Sequence, residues 1–120
     1  MNNYNEFRYP SKLKEVMNIA IQDSFKAMSD PVRREILVLL KGGKMSAGDI
    51  ASRFTLTHAT VSHHLNQLKK ADLIFETKAK NFVFYELNTT VLDDLLFWIS
   101  QFKKTEVSAE DEISTLEELQ

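Results

Sequence analysis

Cysteine is missing from this chain of 120 residues, and only three glycines and three histidines are present. Without cysteine the protein has no disulfide framework, no thiolate metal site and no cysteine nucleophile. The sequence also lacks the apolar run of about 18 residues that a transmembrane helix needs, and its first residues lack the apolar centre of a signal peptide. We therefore expect a cytoplasmic protein of single-domain size with no membrane insertion.

The patterns of catalysis and of metal binding are missing as well. There is no glycine-rich phosphate loop, no nucleophile elbow and no His-Glu-x-x-His pair, so we do not expect an enzyme. His58, His63 and His64 are separated by five residues and by one, and such spacings point side chains of a helix in different directions. The sequence therefore predicts no metal site and no cofactor.

Charge is distributed unevenly along the chain, whose formal net charge is -2. Residues 106–120 hold six acidic residues and no basic one, which leaves 15 basic against 11 acidic residues in 1–105. The excess of bases is concentrated in residues 44–82, which also contain all three histidines. This segment is either an anion-binding face or a solvated surface. The acidic end is a solvated tail, a disordered segment or a short helix that begins at Ser108.

Apolar spacing and capping signals divide the chain into helices. Apolar residues recur every three or four positions over Ser11–Met28, which predicts one helix, either continuous or broken near Asp23. Asp30 and Pro31 begin a second helix, which Gly42-Gly43 ends. Ser46 with Asp49 forms a capping box before a short helix over Ala47–Phe54.

A tight turn at residues 55–57 then precedes a longer helix that Thr57 caps and that runs to about Ala71. Residues 73–77 and 82–87 are rich in aromatic and β-branched side chains, which indicates a hairpin linked by residues 78–81. Thr90 with Asp93 is the capping pair that we expect at the start of a last helix.

This order predicts an α+β, mostly α winged helix-turn-helix protein with a two-stranded β wing. The longer helix would enter the major groove of DNA, and no acidic residue occurs between Asp49 and Asp72. Small and hydrogen-bonding side chains on its outer face suit base edges and phosphates. The predicted DNA-binding residues are Ser46, Thr57, His58, Ala59, Thr60, Ser62, His63 and Gln67, with Lys78, Lys80 and Asn81 in the wing.

Several spaced motifs resemble the ArsR/SmtB type of bacterial winged-helix repressors. They are Phe25–Leu37 (FKAMSDPVRREIL), Ala47–Ala51 (AGDIA), Thr60–Lys69 (TVSHHLNQLK) continued by Ala71–Ile74, and Phe84–Leu87 (FYEL). Residues 62–65 and 88–92 most resemble the subgroup of the sporulation-delay operon autorepressor. The resemblance spans residues 24–102.

What the resemblance implies is a homodimer that binds a palindromic double-stranded DNA operator and represses transcription. Residues 1–22 would be an extension helix for dimerisation, 23–105 the DNA-binding domain and 106–120 an acidic tail. The first and last helices would form the dimer interface, although monomer core is the competing interpretation of the same stripes. The interface residues would be Leu13, Val16, Met17, Ala20, Ile21, Leu92, Leu95, Leu96, Ile99 and Phe102.

The chain departs from the family pattern at three points. Residues 45–49 lack the cysteine, and the last helix lacks the histidine, with which many relatives sense metal. The usual glycine of the wing tip is Lys80, so Asn81 would supply the positive φ of the turn.

His64 is implied to pack inward. Arg33 and Arg34 would touch phosphate or form salt bridges with Asp30 or Glu35.

The sequence leaves open how repression is controlled and whether the protein binds an operator at all. Repression could be controlled by a regulatory protein partner, by a metal or small molecule, or by protein level alone. A protein-interaction module that kept the fold but lost operator binding is the rival from another functional class. A further hypothesis is that the acidic tail competes with DNA for the basic face.

Overall fold

The computed structural model describes residues 11–103, and within that range the chain folds into five α-helices and one antiparallel sheet. The elements are α1 (Ser11–Met28), α2 (Pro31–Leu39) with a 3₁₀ turn (Leu40–Gly42), β1 (Met45–Ser46), α3 (Ala47–Ala51), α4 (His58–Lys70), β2 (Ile74–Ala79), β3 (Phe82–Leu87) and α5 (Thr89–Ser100). This is the predicted winged helix-turn-helix: α3, the turn, α4 and the β2–β3 hairpin follow one another. The helix predicted at Ser108 lies outside the described residues.

Three helices begin at the capping residues that the sequence predicts. The Asp30 carboxylate accepts hydrogen bonds from the N–H groups of Val32 and Arg33 at 2.8 and 3.2 Å, and Pro31 takes the first helical position. The Ser46 hydroxyl caps α3 and the Thr57 hydroxyl caps α4, each by accepting from a backbone N–H at 3.1 Å. These caps satisfy N–H groups that the first helical turn leaves without a partner.

Other boundaries differ from the prediction or decide between its alternatives. Helix α1 continues through Asp23 without a break, and α3 ends at Ala51 instead of Phe54. The cap of α5 is Asn88, whose side chain accepts from the Val91 N–H at 3.4 Å, so the prediction of a Thr90 cap is wrong. Asn88 is held there by tertiary contacts, because its amide also donates to the Asp72 carbonyl at 2.9 Å.

The sheet has three strands in the order β1-β3-β2. β2 and β3 pair from Ile74↔Leu87 to Ala79↔Phe82 and leave a two-residue turn at Lys80-Asn81. Lys80 adopts a φ of 56°, so the left-handed residue of this turn is Lys80 and not Asn81. Strand β1, which pairs Met45 with Tyr85, has two residues and is too short to produce a periodic sequence signal.

The core lies between α2, α3, α4 and the inner side of the sheet. Its most deeply buried side chains include Ile36, Ile50, Leu65, Leu68 and Leu73, each no more than 2% exposed. Val61, Leu65 and Leu68 place the predicted inner face of α4 in this core. The opposite face of α4 is therefore directed to solvent, since a helix presents positions three and four residues apart on one side.

Candidate nucleic-acid interface

The exposed side of α4 forms one continuous polar stripe. Ala59, Ser62, His63, Asn66 and Lys70 are all exposed, and each lies three or four residues from at least one other member on the same side of the helix. We call these five residues the outer stripe. It carries amide, hydroxyl, imidazole and ammonium groups but no carboxylate, so it favours a ligand that is anionic and rich in hydrogen-bonding groups.

The prediction from sequence included Ala59, Ser62 and His63 but missed Asn66 and Lys70. Helical spacing could have found both, because Asn66 is three residues after His63 and Lys70 is four residues further. Gln67, which was predicted instead, is half-buried and lines a cleft of about 210 Å³ with Lys26, Arg33 and Lys70. It therefore lies at the border of the outer stripe, on the side that faces α1.

The beginning of α4 adds further polar groups. Thr57, His58 and Thr60 are exposed, and the two threonine hydroxyls lie 2.8 Å apart. No acidic residue lies in the first turn of α4, so the partial positive charge of the helix N-terminus is not neutralised there. Ser46 is half-buried and its hydroxyl caps α3 by accepting the Asp49 N–H, while its own O–H can still donate a hydrogen bond.

The predicted wing residues lie together at the end of the hairpin. Lys78, Lys80 and Asn81 are all exposed, and Lys78 pairs with Val83 next to the two-residue turn. Two ammonium groups on a short protruding ribbon suit contacts to phosphate or to a minor groove.

A three-residue cluster joins this wing to the last turn of α4. The Lys69 ammonium and the Tyr85 hydroxyl both donate to Oε2 of Glu76, at 3.2 and 3.1 Å. The hydrogen bond from Lys69 lowers the pKa of Glu76 and outweighs the opposing effect of burial. Burial and the neighbouring carboxylate raise the pKa of Tyr85 to about 12. No sequence signal indicated this cluster, because it depends on the register that pairs Glu76 with Tyr85.

A second cluster joins α4 to α1 on its other flank. The Arg33 guanidinium donates to the carbonyls of Ala27 and Lys26 and lies 3.2 Å from Nδ1 of His64. Arg34 donates to the Met28 carbonyl at 2.8 Å. Both arginines therefore bind carbonyls at the C-terminal end of α1, where the helix dipole favours cations, and neither of the two predicted roles describes these contacts.

His64 packs inward, as the resemblance implies, with 12% of its side chain exposed. Its Nδ1 is 3.9 Å from the Asp30 carboxylate. Burial acts to raise the pKa of Asp30, but the hydrogen bonds from the N–H groups of Arg33 and Val32 outweigh it and hold the pKa below its ordinary value. Within residues 11–103, no three His, Cys, Asp or Glu side chains come close enough together to hold a metal ion.

The apolar residues predicted for a dimer interface differ in their exposure to solvent. Val16, Ala20, Leu96, Ile99 and Phe102 are exposed, and the exposed fraction reaches 71% at Phe102. Leu95 is 6% exposed and belongs to the core of the chain itself, against which Ile21 and Leu92 pack. Met17 is half-buried beside a cleft of about 130 Å³ between α1 and α5. Leu13 lies in α1, and its side chain is outside the described part of the structure.

The aromatic side chains of α1 and α5 hold these two helices together. The rings of Phe25 and Trp98 meet edge to face with centroids 5.6 Å apart, and Trp98 in turn contacts Phe102 at 5.0 Å. These ring contacts join α1 to α5 and to the residues just after it. No helix in the described range is long and apolar enough to cross a membrane.

Comparisons with known proteins agree with this geometry. Residues 30–75, from the cap of α2 to the start of β2, match the family model described as "Bacterial regulatory protein, arsR family". The chain is 54% identical over 78 residues to the transcriptional repressor SdpR of Bacillus subtilis, a match that covers 65% of this chain and 87% of that protein. It is 38% identical over 71 residues to the arsenical resistance operon repressor of Staphylococcus aureus, covering 59% of this chain and 68% of that protein.

Among solved structures, the homodimeric winged helix-turn-helix DNA-binding domain from Mycobacterium bovis superposes with a TM-score of 0.63. The superposition covers 79% of this chain and 90% of that one at 21% identity, so this likeness concerns the fold. The match to SdpR also confirms the predicted subgroup. With the family model, the relatives and the fold in agreement, the chain belongs to the ArsR family of bacterial regulatory proteins.

Proposed function

We propose that this protein is a DNA-binding transcriptional repressor that acts as a homodimer on a palindromic operator. The observation that carries the proposal is the outer stripe of α4, which is exposed, polar and free of carboxylates in a winged helix-turn-helix. SdpR and the Staphylococcus aureus protein, which this chain matches over 87% and 68% of their own length, are both named as repressors, and this supports repression.

In this proposal α4 lies in the major groove, with the outer stripe against base edges. The amide of Asn66 has the donor and acceptor that pair with adenine, and His63 offers ring nitrogens to purines. The hydroxyls at the start of α4 and the ammonium groups of Lys78 and Lys80 bind phosphates, which position the protein on the duplex without reading sequence.

The homodimer would form through the exposed apolar residues of α1 and α5. The Mycobacterium bovis domain with the same fold is homodimeric. A two-fold dimer presents two copies of α4 in opposite orientations, and this symmetry is what makes its operator a palindrome. Burial of Leu96, Ile99 and Phe102 between subunits would remove a large apolar area from water.

The remaining assignments of the proposal concern organisation and control. Residues 1–22 extend the dimer interface, 23–105 form the DNA-binding domain and 106–120 form an acidic tail. The protein works in the cytoplasm, where the chromosome is. We propose a regulatory protein partner as the source of control.

Fluorescence anisotropy with the promoter region upstream of the protein's own gene tests this function. We expect saturable binding to that duplex that is at least about a thousandfold tighter than binding to a shuffled duplex of the same composition, as for specific DNA-binding proteins in general. A reporter driven by the same promoter should fall in expression when the protein is supplied. Equal affinity for both duplexes would instead support an interaction module that has lost operator binding.

A further inference from the structure

The Lys69–Glu76–Tyr85 cluster connects the two parts of the molecule that contact DNA in the proposed function. Lys69 belongs to the last turn of α4, Glu76 to β2 and Tyr85 to β3. Both donors bind the same carboxylate oxygen, Oε2 of Glu76. One carboxylate oxygen therefore connects α4 with both long strands of the wing, β2 and β3.

A small change in the angle of the hairpin at Glu76 would move the tip of the wing by a larger distance. Glu76 pairs with Tyr85 near the base of the wing, and Lys80 lies at the tip, four residues further along. At about 3.3 Å per residue the tip is roughly 13 Å away, so a tilt of 10° at Glu76 would move it by about 2 Å. Such a displacement is enough to break a hydrogen bond between an ammonium group and a phosphate.

The environment of the cluster supports a fixed geometry. The Tyr85 residue is buried, and the Glu76 side chain is only 21% exposed. Tyr85 is also the pairing partner of Met45 in β1, so its backbone lies in the central strand and has a paired strand on each side. A carboxylate that accepts two hydrogen bonds in such a place is oriented by both donors.

We propose that Glu76 is a positioning residue for DNA binding, which sets the angle of the wing against α4 by joining Lys69 to Tyr85 without touching DNA. This inference rests on the proposed function. It adds to that function that the wing tip contributes fully to DNA affinity only when Glu76, at the base of the wing, holds the wing in place.

The test compares Glu76→Gln with the matched control Glu86→Gln, which lies on β3 of the same hairpin and pairs with Phe75 on the opposite face of the sheet. Each variant removes one negative charge, and general electrostatics alone predicts somewhat tighter DNA binding for both. We expect Glu76→Gln to weaken operator binding about threefold to tenfold, the size of a lost set of phosphate contacts, while Glu86→Gln binds as well as or better than the unchanged protein. Tighter binding by both variants would overturn the proposal.

Coupling to Lys80 separates positioning from stability. In the unchanged protein, Lys80→Ala should reduce affinity and the dependence of log Kd on log salt; in the Glu76→Gln background it should have little further effect. If Glu76 served only stability, Tm would fall but the cost of Lys80→Ala would be the same in both backgrounds. That result, measured well below both Tm values, would contradict the proposal.

Two further measurements keep the test independent of folding defects and of the operator. Tyr85→Phe removes one hydroxyl and no charge, and should show the same coupling to Lys80 in milder form. Residual dipolar couplings of the free protein should report a changed orientation of β2–β3 relative to α4 in Glu76→Gln and not in Glu86→Gln. An unchanged orientation would overturn the positioning role, whereas a changed orientation in a protein that binds no operator would overturn only the proposed function.

Discussion

Helices α4 and α5 have nearly the same length and each buries one stripe in the same core, yet their exposed faces are opposite in chemistry. The outer stripe of α4 is polar and contains no carboxylate, whereas α5 exposes Leu96, Phe97 and Ile99, and the exposed Phe102 follows just after its end. The difference shows that core packing decides which side of each helix faces outward. The chemistry of that side then decides which partner it suits.

For α4 the suitable partner is a polyanion, because hydrogen-bonding and cationic groups without carboxylates attract phosphates and base edges. For α5 it is another apolar surface, because several large hydrocarbon side chains in contact with water cost free energy that burial recovers. In the proposed function, the protein would therefore assemble through the apolar face of α5 and bind DNA through the polar face of α4.

The largest effect is expected when the exposed apolar face of α5 is made polar. Leu96→Glu combined with Ile99→Glu should separate the dimer and reduce operator affinity by about 100-fold, because each half-site is then bound independently. Analytical ultracentrifugation and anisotropy measure the two effects. Thr90→Glu, on the exposed first turn of α5, is the control and should leave the assembly intact. A dimer that survives the double substitution would show that the interface lies elsewhere.

A substitution on the outer stripe of α4 should weaken DNA binding without affecting dimer formation. His63→Ala is expected to weaken operator binding roughly tenfold and to relax base preference, while the dimer and Tm stay unchanged. Its neighbour His64 is the internal contrast, because its ring packs inward against Arg33. His64→Ala should lower Tm. If His63→Ala left binding to the operator unaltered, the outer stripe would not be the recognition surface.

The wing tip should influence affinity without influencing sequence preference. Lys80→Ala is expected to weaken binding to operator and to shuffled duplex by the same factor, about threefold, and to reduce the salt slope by about one unit. A titration at several salt concentrations measures both quantities. A loss confined to the operator would indicate that Lys80 reads bases.

The Glu76 cluster should make the stability of the fold depend on pH in both the acidic and the alkaline range. The pKa of Glu76 is lowered in the folded protein, so its contribution is complete above the ordinary value of 4.5 and is lost as pH falls through the folded pKa. The pKa of Tyr85 is raised from 10.0 to about 12, so its contribution is complete below 10 and is lost between these values. Tm measured across pH should show both losses, and Glu76→Gln should reduce the acidic one, leaving the part that comes from the lowered pKa of Asp30.

The smallest expected effect concerns the acidic residues at the end of the chain. Removal of the chain after Lys104 should raise operator affinity at low salt about twofold to threefold, because the six acidic residues no longer compete with phosphates for the basic face. The gain should disappear at high salt. Equal affinities at low salt would mean that the tail only adds solubility.

The helical part of this fold was predictable because its signals are local. Asp30-Pro31, Ser46 and Thr57 mark helix starts through hydrogen bonds that span two or three residues, and the structure confirms all three. The start of α5 was not predictable in this way. Asn88 caps that helix because the Asp72 carbonyl, 16 residues earlier, holds its side chain. Likewise β1 exists only because β3 is there to pair with it.

The candidate site was predictable to the extent that helical spacing describes it. The sequence identified His63 and Ser62 of the outer stripe, and the same spacing applied further would have reached Asn66 and left Gln67 at its border. The clusters on either side of α4 were out of reach. Arg33 meets His64 and Lys69 meets Glu76 across elements whose mutual placement no local pattern records.

The order of the helices and the hairpin, the resemblance to the family and the absence of carboxylates from α4 can be read from the sequence, because they follow from residue type and local spacing. The packed fold was needed to show that Leu95 is core while Leu96 is exposed, that Lys80 takes the left-handed turn position, and that one carboxylate joins α4 to the wing. Those features depend on which elements pack together in space, and packing is a property of the whole chain.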